Sequence, residues 1–241
     1  MVAKTTNTTT FNLDFNNIAE EAFERCGTEM RSGYDLRTAR RSLNLLVLEW
    51  ANRGLNLWTV EEGSITLVSG QSLYTLPADT VDLLDHVIRT GSGTTQQDIS
   101  ITRISGSDYS NIPNKTATGR PLQVWVNRQS GAVNADGSVQ YPEIKVWPVP
   151  DPSTTYTFYY WRLRRIYEVG NGVNGQDIPF RFLPAMVSGL AFYLSMKIPG
   201  AEARSQGLKA EYEQQLQLAA DEDREKAAVR FVPRHMFVGY R

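Results

Sequence analysis

The fold turns on residues 46–80, LVLEWANRGLNLWTVEEGSITLVSGQSLYTLPADT. As far as Trp50, apolar residues recur at intervals of three and four, the period of a helix face. Beyond Gly54 they alternate with polar residues, the period of a strand. Gly54 is expected to end the helix, and Trp58 to begin a strand whose ring packs back on the Trp50 turn. Pro77 is expected to close a later strand, because proline cannot continue a central ladder. No residue pattern in this stretch belongs to a catalytic motif, so it reads as scaffold.

Working outward, FNLDFNNIAEEAFERCG predicts a helix from about Asn17 to Cys26, capped by Asp14 or Asn16 and ended by Gly27. YDLRTARRSLNLLVLEWANRG predicts a second helix with Asp35 as N-cap. Its stripe is Leu36, Ala39, Leu43, Leu46, Val47 and Trp50. Leu45 and Leu48 widen the apolar surface, so this helix is expected to meet neighbours on two sides.

The middle of the chain reads as strands bounded by glycine, proline or asparagine: LNLWTVEEG, SITLVSG, QSLYTLP, VDLLDHVIRT, DISITRIS, PLQVWVNRQ, PEIKVWPVP and TYTFYYWRLRRI. A short helix is expected near Asp108, and loops at QSGAVNADGSV and NGVNGQDIP. Helical period then returns. FLPAMVSGLAFYLSMKI is apolar nearly all round and is expected to be buried, with Pro184 in its first turn. Pro199 and Gly200 break it. The last helix is expected from Ala201 to Ala227, about 40 Å if unbroken, with a narrow stripe of Leu208, Tyr212, Leu216 and Ala219.

This layout is α+β. The expectation is a helical bundle formed by the N- and C-terminal helices, with an inserted antiparallel β sandwich or barrel. Residues 1–15 form an N-terminal arm, 16–54 and 178–227 the bundle, 55–177 the β-rich domain and 228–241 a C-terminal tail.

The 241 residues are 41% hydrophobic, enough for a packed core. The net charge of −1 gives no overall pull toward nucleic acid or an anionic membrane. A single cysteine, Cys26, rules out an internal disulfide and a cysteine-only zinc site, and folding in a reducing compartment is expected. No run of 18 apolar residues suggests a membrane span. The N-terminal MVAKTTNTTT has no apolar signal core, so synthesis in the cytoplasm without an export route is expected.

Tests for chemistry give no catalytic, cofactor or metal residues. GxxxxGK, HExxH and GxSxG are missing from the sequence, and VGNGVNG at 169–175, though glycine-rich, has no lysine and precedes no α/β unit. His86 lies between apolar residues of a strand and reads as packed. Glu61 and Glu62 are adjacent and so point to opposite faces of a strand. Asp79, Asp82 and Asp85 read as a solvated turn rather than a glycosidase pair. Phe158, Tyr160 and Arg162 share one face of a strand, with Tyr159, Trp161 and Leu163 on the other. Aromatics interleaved with arginine can stack single-stranded nucleic acid. A central strand buried on both sides explains them more simply, with Arg162, Arg164 and Arg165 at a rim or a partner. A cell-wall hydrolase acting through Asp82 or Glu62, and a nucleic-acid-binding module, stay as alternatives.

LNLLVLEWANRGLNLWTVEEGSITLVSGQSLYTLPADTVDLLDHVIR resembles the head-to-tail adaptor proteins of tailed bacteriophages, also called tail tubular protein A or packaged-DNA stabilisation protein. Trp50, Gly54, Leu55 and Trp58 carry the resemblance, followed by Gly70, Tyr74, Leu76, Pro77 and Asp79. Trp147, Pro148 and Pro150 in IKVWPVPD, and the strand YWRLRRI, are similar to later parts of the family.

The resemblance implies a non-enzymatic virion protein located between capsid and tail. It implies a ring, usually of twelve copies, bound beneath the portal protein and receiving the tail nozzle or tube. Such a ring extends the channel and meets packaged double-stranded DNA without reading its sequence; no membrane is involved. The bundle would dock on the portal and the β-rich domain would face the tail. Portal or neighbour contacts are expected at Phe231, Met236, Phe237 and Tyr240 of the tail, and at Leu208, Tyr212 and Leu216 of the last helix.

Overall fold

The computed structural model describes residues 13–54, 57–128, 137–170 and 176–224. The first helix, α1, is Phe15–Cys26. The Asp14 carboxylate accepts from the Asn17 N–H at 2.8 Å, and Gly27 closes the helix in the left-handed region at φ 83°. The second, α2, is Gly33–Arg53. Its N-cap is Ser32 and not Asp35. The Asp35 carboxylate reaches back from the third helical position to the Ser32 N–H, and the Asp35 N–H donates to the Ser32 hydroxyl. The reciprocal bonds of this capping box move the start of the helix upstream.

Strands follow in the order β1 Val60–Thr66, β2 Leu73–Thr75, β3 Thr80–Thr90, β4 Gln97–Ser100 and β5 Thr102–Ile104. Helix α3, Gly106–Asn111, comes next. Then come β6 Thr118–Gly119, β7 Gln123–Asn127, β8 Glu143–Trp147, β9 Val149–Pro150 and β10 Thr157–Arg164. The chain returns to helix in α4, Leu183–Ser195, and α5, Ser205–Glu222. The protein is α+β, with five α-helices and mainly antiparallel sheets among the described residues.

One sheet runs β1-β10-β3-β4, antiparallel throughout. A second runs β2-β8-β7-β5, with β5 and β7 parallel, and a small parallel pair joins β6 to β9. No closed barrel forms among the described residues. Leu83, Ile88, Phe158 and Tyr160 of the first sheet share one core with Tyr74, Val124, Ile144 and Val146 of the second. β10 lies centrally, and its alternation matches the sequence reading. Phe158, Tyr160, Arg162 and Arg164 are buried on one face, while Tyr159, Trp161 and Leu163 are only half-buried on the other.

Two expected strands prove to be one. LNLWTVEEG and SITLVSG do not break at Gly63, because β1 runs through it. Gly63 is paired with Tyr160, and a Cβ there would lie 2.5 Å from the Tyr160 ring. Trp58 belongs to a 3-10 turn, Leu57–Thr59, rather than to a strand. β2 ends two residues before Pro77, as expected, and the Thr80 N–H donates to the Pro77 carbonyl at 3.0 Å. β8 ends at Trp147, and the Trp147–Pro148 bond is cis. The Trp147 indole donates to the Asn114 carbonyl at 2.9 Å.

The other core is helical. α4 packs against α1, α2 and α5, and nearly every residue from Leu183 to Leu194 is buried. Its buried hydroxyls are satisfied within the helix. Ser188 donates to the Pro184 carbonyl at 2.9 Å, and Ser195 to the Phe192 carbonyl at 2.7 Å. Gly189 of α4 faces Leu46 of α2 and Tyr212 of α5. A Cβ there would stand 2.9 Å from both Leu46 and the Tyr212 ring.

α5 ends at Glu222 and is preceded by a 3-10 turn at Glu202–Arg204, so it is shorter than expected at both ends. Residues 1–12 of the expected arm, residues 225–227 of the expected last helix and the whole tail at 228–241 lie outside the described residues, as do most of the two expected loops.

Replacing Gly189 by Val should force α2 and α5 away from α4 and destabilise the fold by about 1–3 kcal/mol. Chemical denaturation measures this. An unchanged midpoint would show that the crossing has slack.

Candidate assembly surfaces

Polar clusters bind the helices to one another and to the sheet. The Trp50 indole donates to the Tyr212 hydroxyl at 2.9 Å, which in turn donates to Glu49 Oε1 at 3.2 Å. The Tyr193 hydroxyl donates to Glu49 Oε2 at 2.7 Å. Arg53 completes the cluster on Glu49 and on Glu213, the latter at 2.8 and 2.9 Å. Burial and the neighbouring Glu49 carboxylate push the Tyr193 hydroxyl up to about 12, and burial raises Tyr212 as well. Both phenols therefore stay protonated and keep donating. The cluster locks α2, α4 and α5 in one arrangement.

Arginines of β10 form the second cluster. Arg162 is 9% exposed and Arg164 8%. Arg162 donates to Asp79 at 2.6 Å, to Glu61 at 2.7 Å and to the Thr80 hydroxyl at 3.0 Å. Arg164 donates to Glu61 at 2.7 Å and to the two Asp177 oxygens at 2.5 and 2.9 Å. The Trp58 indole donates to the Asp177 carbonyl at 3.2 Å. These arginines are internal rather than rim residues. Arg162 holds the Asp79 carboxyl below its usual range through its hydrogen bonds.

The same geometry corrects the reading of the aspartates. PADT is a turn, but Asp79 is ion-paired. Asp82 lies 2.8 Å from Arg103 and 3.4 Å from Arg128, and the Asp85 carboxylate accepts from the His86 N–H at 2.8 Å. Each of these acids is engaged by a partner. No group of His, Cys, Asp and Glu suited to a metal occurs among the described residues. No helix among them is long and apolar enough to cross a membrane. His86 is buried and stacks on Phe158 with ring centroids 5.9 Å apart. Neither ring nitrogen has a hydrogen-bond partner among the described residues. Burial lowers its pKa, partly offset by the Asp85 charge.

A third contact closes the helical layer. The buried Asp223 carboxylate, just past α5, accepts from the Leu57 N–H at 3.0 Å and pairs with Arg181. Trp50 and Trp58 do not stack on each other. Each lies against Phe182, at 5.6 and 4.7 Å between ring centroids.

Of the contact residues expected from sequence, Leu208 and Tyr212 lie in the protein's own helical core, and Leu216 is partly buried against it. Phe231, Met236, Phe237 and Tyr240 lie outside the described residues. α2 carries an exposed apolar stripe. Tyr34 is 64% exposed, Leu45 53% and Leu48 60%, and they follow one another with Arg41 at helical spacing. The excess width of this helix was legible in the sequence. The acceptors of the β10 arginines were not, because Glu61 and Asp79 lie 101 and 83 residues from Arg162 along the chain.

An outward apolar stripe, internal carboxylates bound to arginine and a locked helical layer suit a structural protein that meets other proteins. The comparison with known families gives that class its content: residues 17–234 match the family model described as SU10 adaptor protein. The chain belongs to that family, and so is a structural adaptor of a bacteriophage. No curated protein matches it.

Replacing Arg164 by Met leaves Glu61 and Asp177 facing each other. The expected loss is about 1–3 kcal/mol, less than for a fully buried pair because the Glu61 side chain is 42% exposed. The melting temperature of the variant measures it. His86 makes stability pH-dependent. The unfolded chain takes up a proton near the ordinary histidine pKa, whereas folded His86 does so only at lower pH. Stability therefore falls as pH drops from 7.5 through 6.5 to 5.5. The lowered acids, such as Asp79, lose their contribution only at lower pH still. His86→Phe should flatten the melting curve across that window.

Proposed function

We propose that the protein is the head-to-tail adaptor of a tailed phage, of the tail tubular protein A type. Copies form a ring, twelve in number by analogy with similar adaptors, between the portal protein and the tail nozzle or tube, in the neck of the virion. The helical residues 16–54 and 178–227 face the portal, and residues 55–177 face the tail. The tail at 228–241 reaches the portal through Phe231, Met236, Phe237 and Tyr240. The ring extends the channel and retains packaged double-stranded DNA through contacts that read no sequence.

The observation that carries this reading is the double face of α2. One side, with Leu43, Leu46 and Trp50, is consumed by the protein's own core. The other presents Tyr34, Leu45 and Leu48 to solvent. A stripe of that kind becomes favourable when a neighbour covers it, at about 25 cal/mol per Å² of apolar area before the costs of association. Repetition around a ring multiplies a weak contact.

Purified protein mixed with portal rings should give a second ring stacked on the portal by electron microscopy. Leu45→Glu with Leu48→Glu should leave the melting temperature within a few degrees of the parent and abolish that density. A parent protein that stays monomeric beside portal rings would sink the reading.

A further inference from the structure

The helical layer carries two exposed patches that share no residue. One is the outer face of α2, where Tyr34, Leu45 and Leu48 stand beside Arg37 and Arg41. The other is a groove of ≈ 880 Å³ between α1 and the start of α4. Leu13, Phe180, Leu183 and Val187 line it, and Glu20 and Glu24 stand on its α1 side. Phe180 is 61% exposed.

The charges on these patches are incomplete. Glu20 and Glu24 are exposed, four residues apart on one helix, and neither has an ion pair among the described residues. Arg37 and Arg41 are exposed at the same spacing; Arg37 has no ion pair among the described residues. Among the described residues Arg41 has only the Thr38 hydroxyl, at 3.4 Å. Like charges at that spacing disfavour each helix by a few tenths of a kcal/mol. Other charges on the same helices do find partners: Arg25 on Glu21 and Glu211, and Arg53 on Glu49 and Glu213. What remains is an acidic pair and a basic pair, each spanning about 6 Å along its helix.

We propose that the α2 face of one copy seats in the α1–α4 groove of the next. Arg37 and Arg41 meet Glu20 and Glu24, and the apolar stripe covers Phe180 and its neighbours. This rests on the ring proposed above and names the contact that builds it. The two patches differ, so the contact is heterologous: each copy offers one patch to either side, and the series closes as a ring. The charges set orientation and register, and the apolar residues supply most of the affinity.

Charge reversal tests it. Glu20→Arg with Glu24→Arg, and separately Arg37→Glu with Arg41→Glu, should each keep the parent's melting temperature. Each should lose at least about tenfold in ring formation on portal rings, read by native mass spectrometry. An equimolar mixture of the two should regain it, as rings holding equal numbers of each variant. That rescue also shows that both variants are folded. A reversed variant that forms rings as the parent does overturns the assignment, including the case in which residues 1–12 of the same chain fill the groove. Variants that stay apart on mixing overturn it too. If the parent itself forms no ring on the portal, the proposed function fails and this contact falls with it.

Discussion

The helix that must be hidden on every side orders the rest of the molecule. α4 has no polar face, and a helix without one cannot rest on the surface of a domain. It needs partners on all sides, and the chain supplies them from both ends: α1 and α2 from before the strands, α5 from after them. The β region is then constrained to leave the helical layer and come back to it. Gly189 sets how closely the partners approach, and Glu49 fixes their rotation by holding Tyr193, Tyr212 and Arg53 together. Hydrophobic burial supplies the drive, and the hydrogen bonds select one packing among many.

A different physics holds the sheet end. Arg162 and Arg164 take two buried positions on the central strand, where apolar residues would be expected. Each is matched by carboxylates from other segments: Glu61 on β1, Asp79 in the turn before β3, and Asp177 on the return to the helices. A buried ion network of this kind costs desolvation and gives little net stability. What it gives is position, because guanidinium and carboxylate groups bond well only in a narrow set of orientations. The join between strands and helices is therefore set by charge geometry, while each core is set by packing.

Much of the fold was legible from period and punctuation. Gly27 marks the end of α1 in the sequence as in the structure, Asp14 is the cap of the two that the sequence offered, with the helix starting at Phe15 rather than Asn17, and the helical stripe through Trp50 is the buried one. Errors arose where a residue did something its type does not announce. Asp35 looks like an N-cap until Ser32 is seen to accept its N–H. Gly63 looks like a strand end but is an accommodation to the Tyr160 ring across the sheet. Tyr212 and Leu208 sit on a stripe so narrow that it reads as a seam for another molecule. In fact it is filled by α4, because one thin stripe is all that an already crowded helix can accept. The candidate surface was half legible: Leu45 and Leu48 were visibly surplus, but their exposure depends on which side α4 takes. The groove beside α1 is made by residues from opposite ends of the chain and has no signature in either.

The small clamp at Asp223 has a mechanical meaning. This carboxylate closes α5 and at the same time grips Leu57, where the chain enters the strands, and Arg181, where it returns. Losing that one carboxylate would release the entrance to the strands and the exit from them together, so a single side chain ties both crossings between the layers to the end of α5.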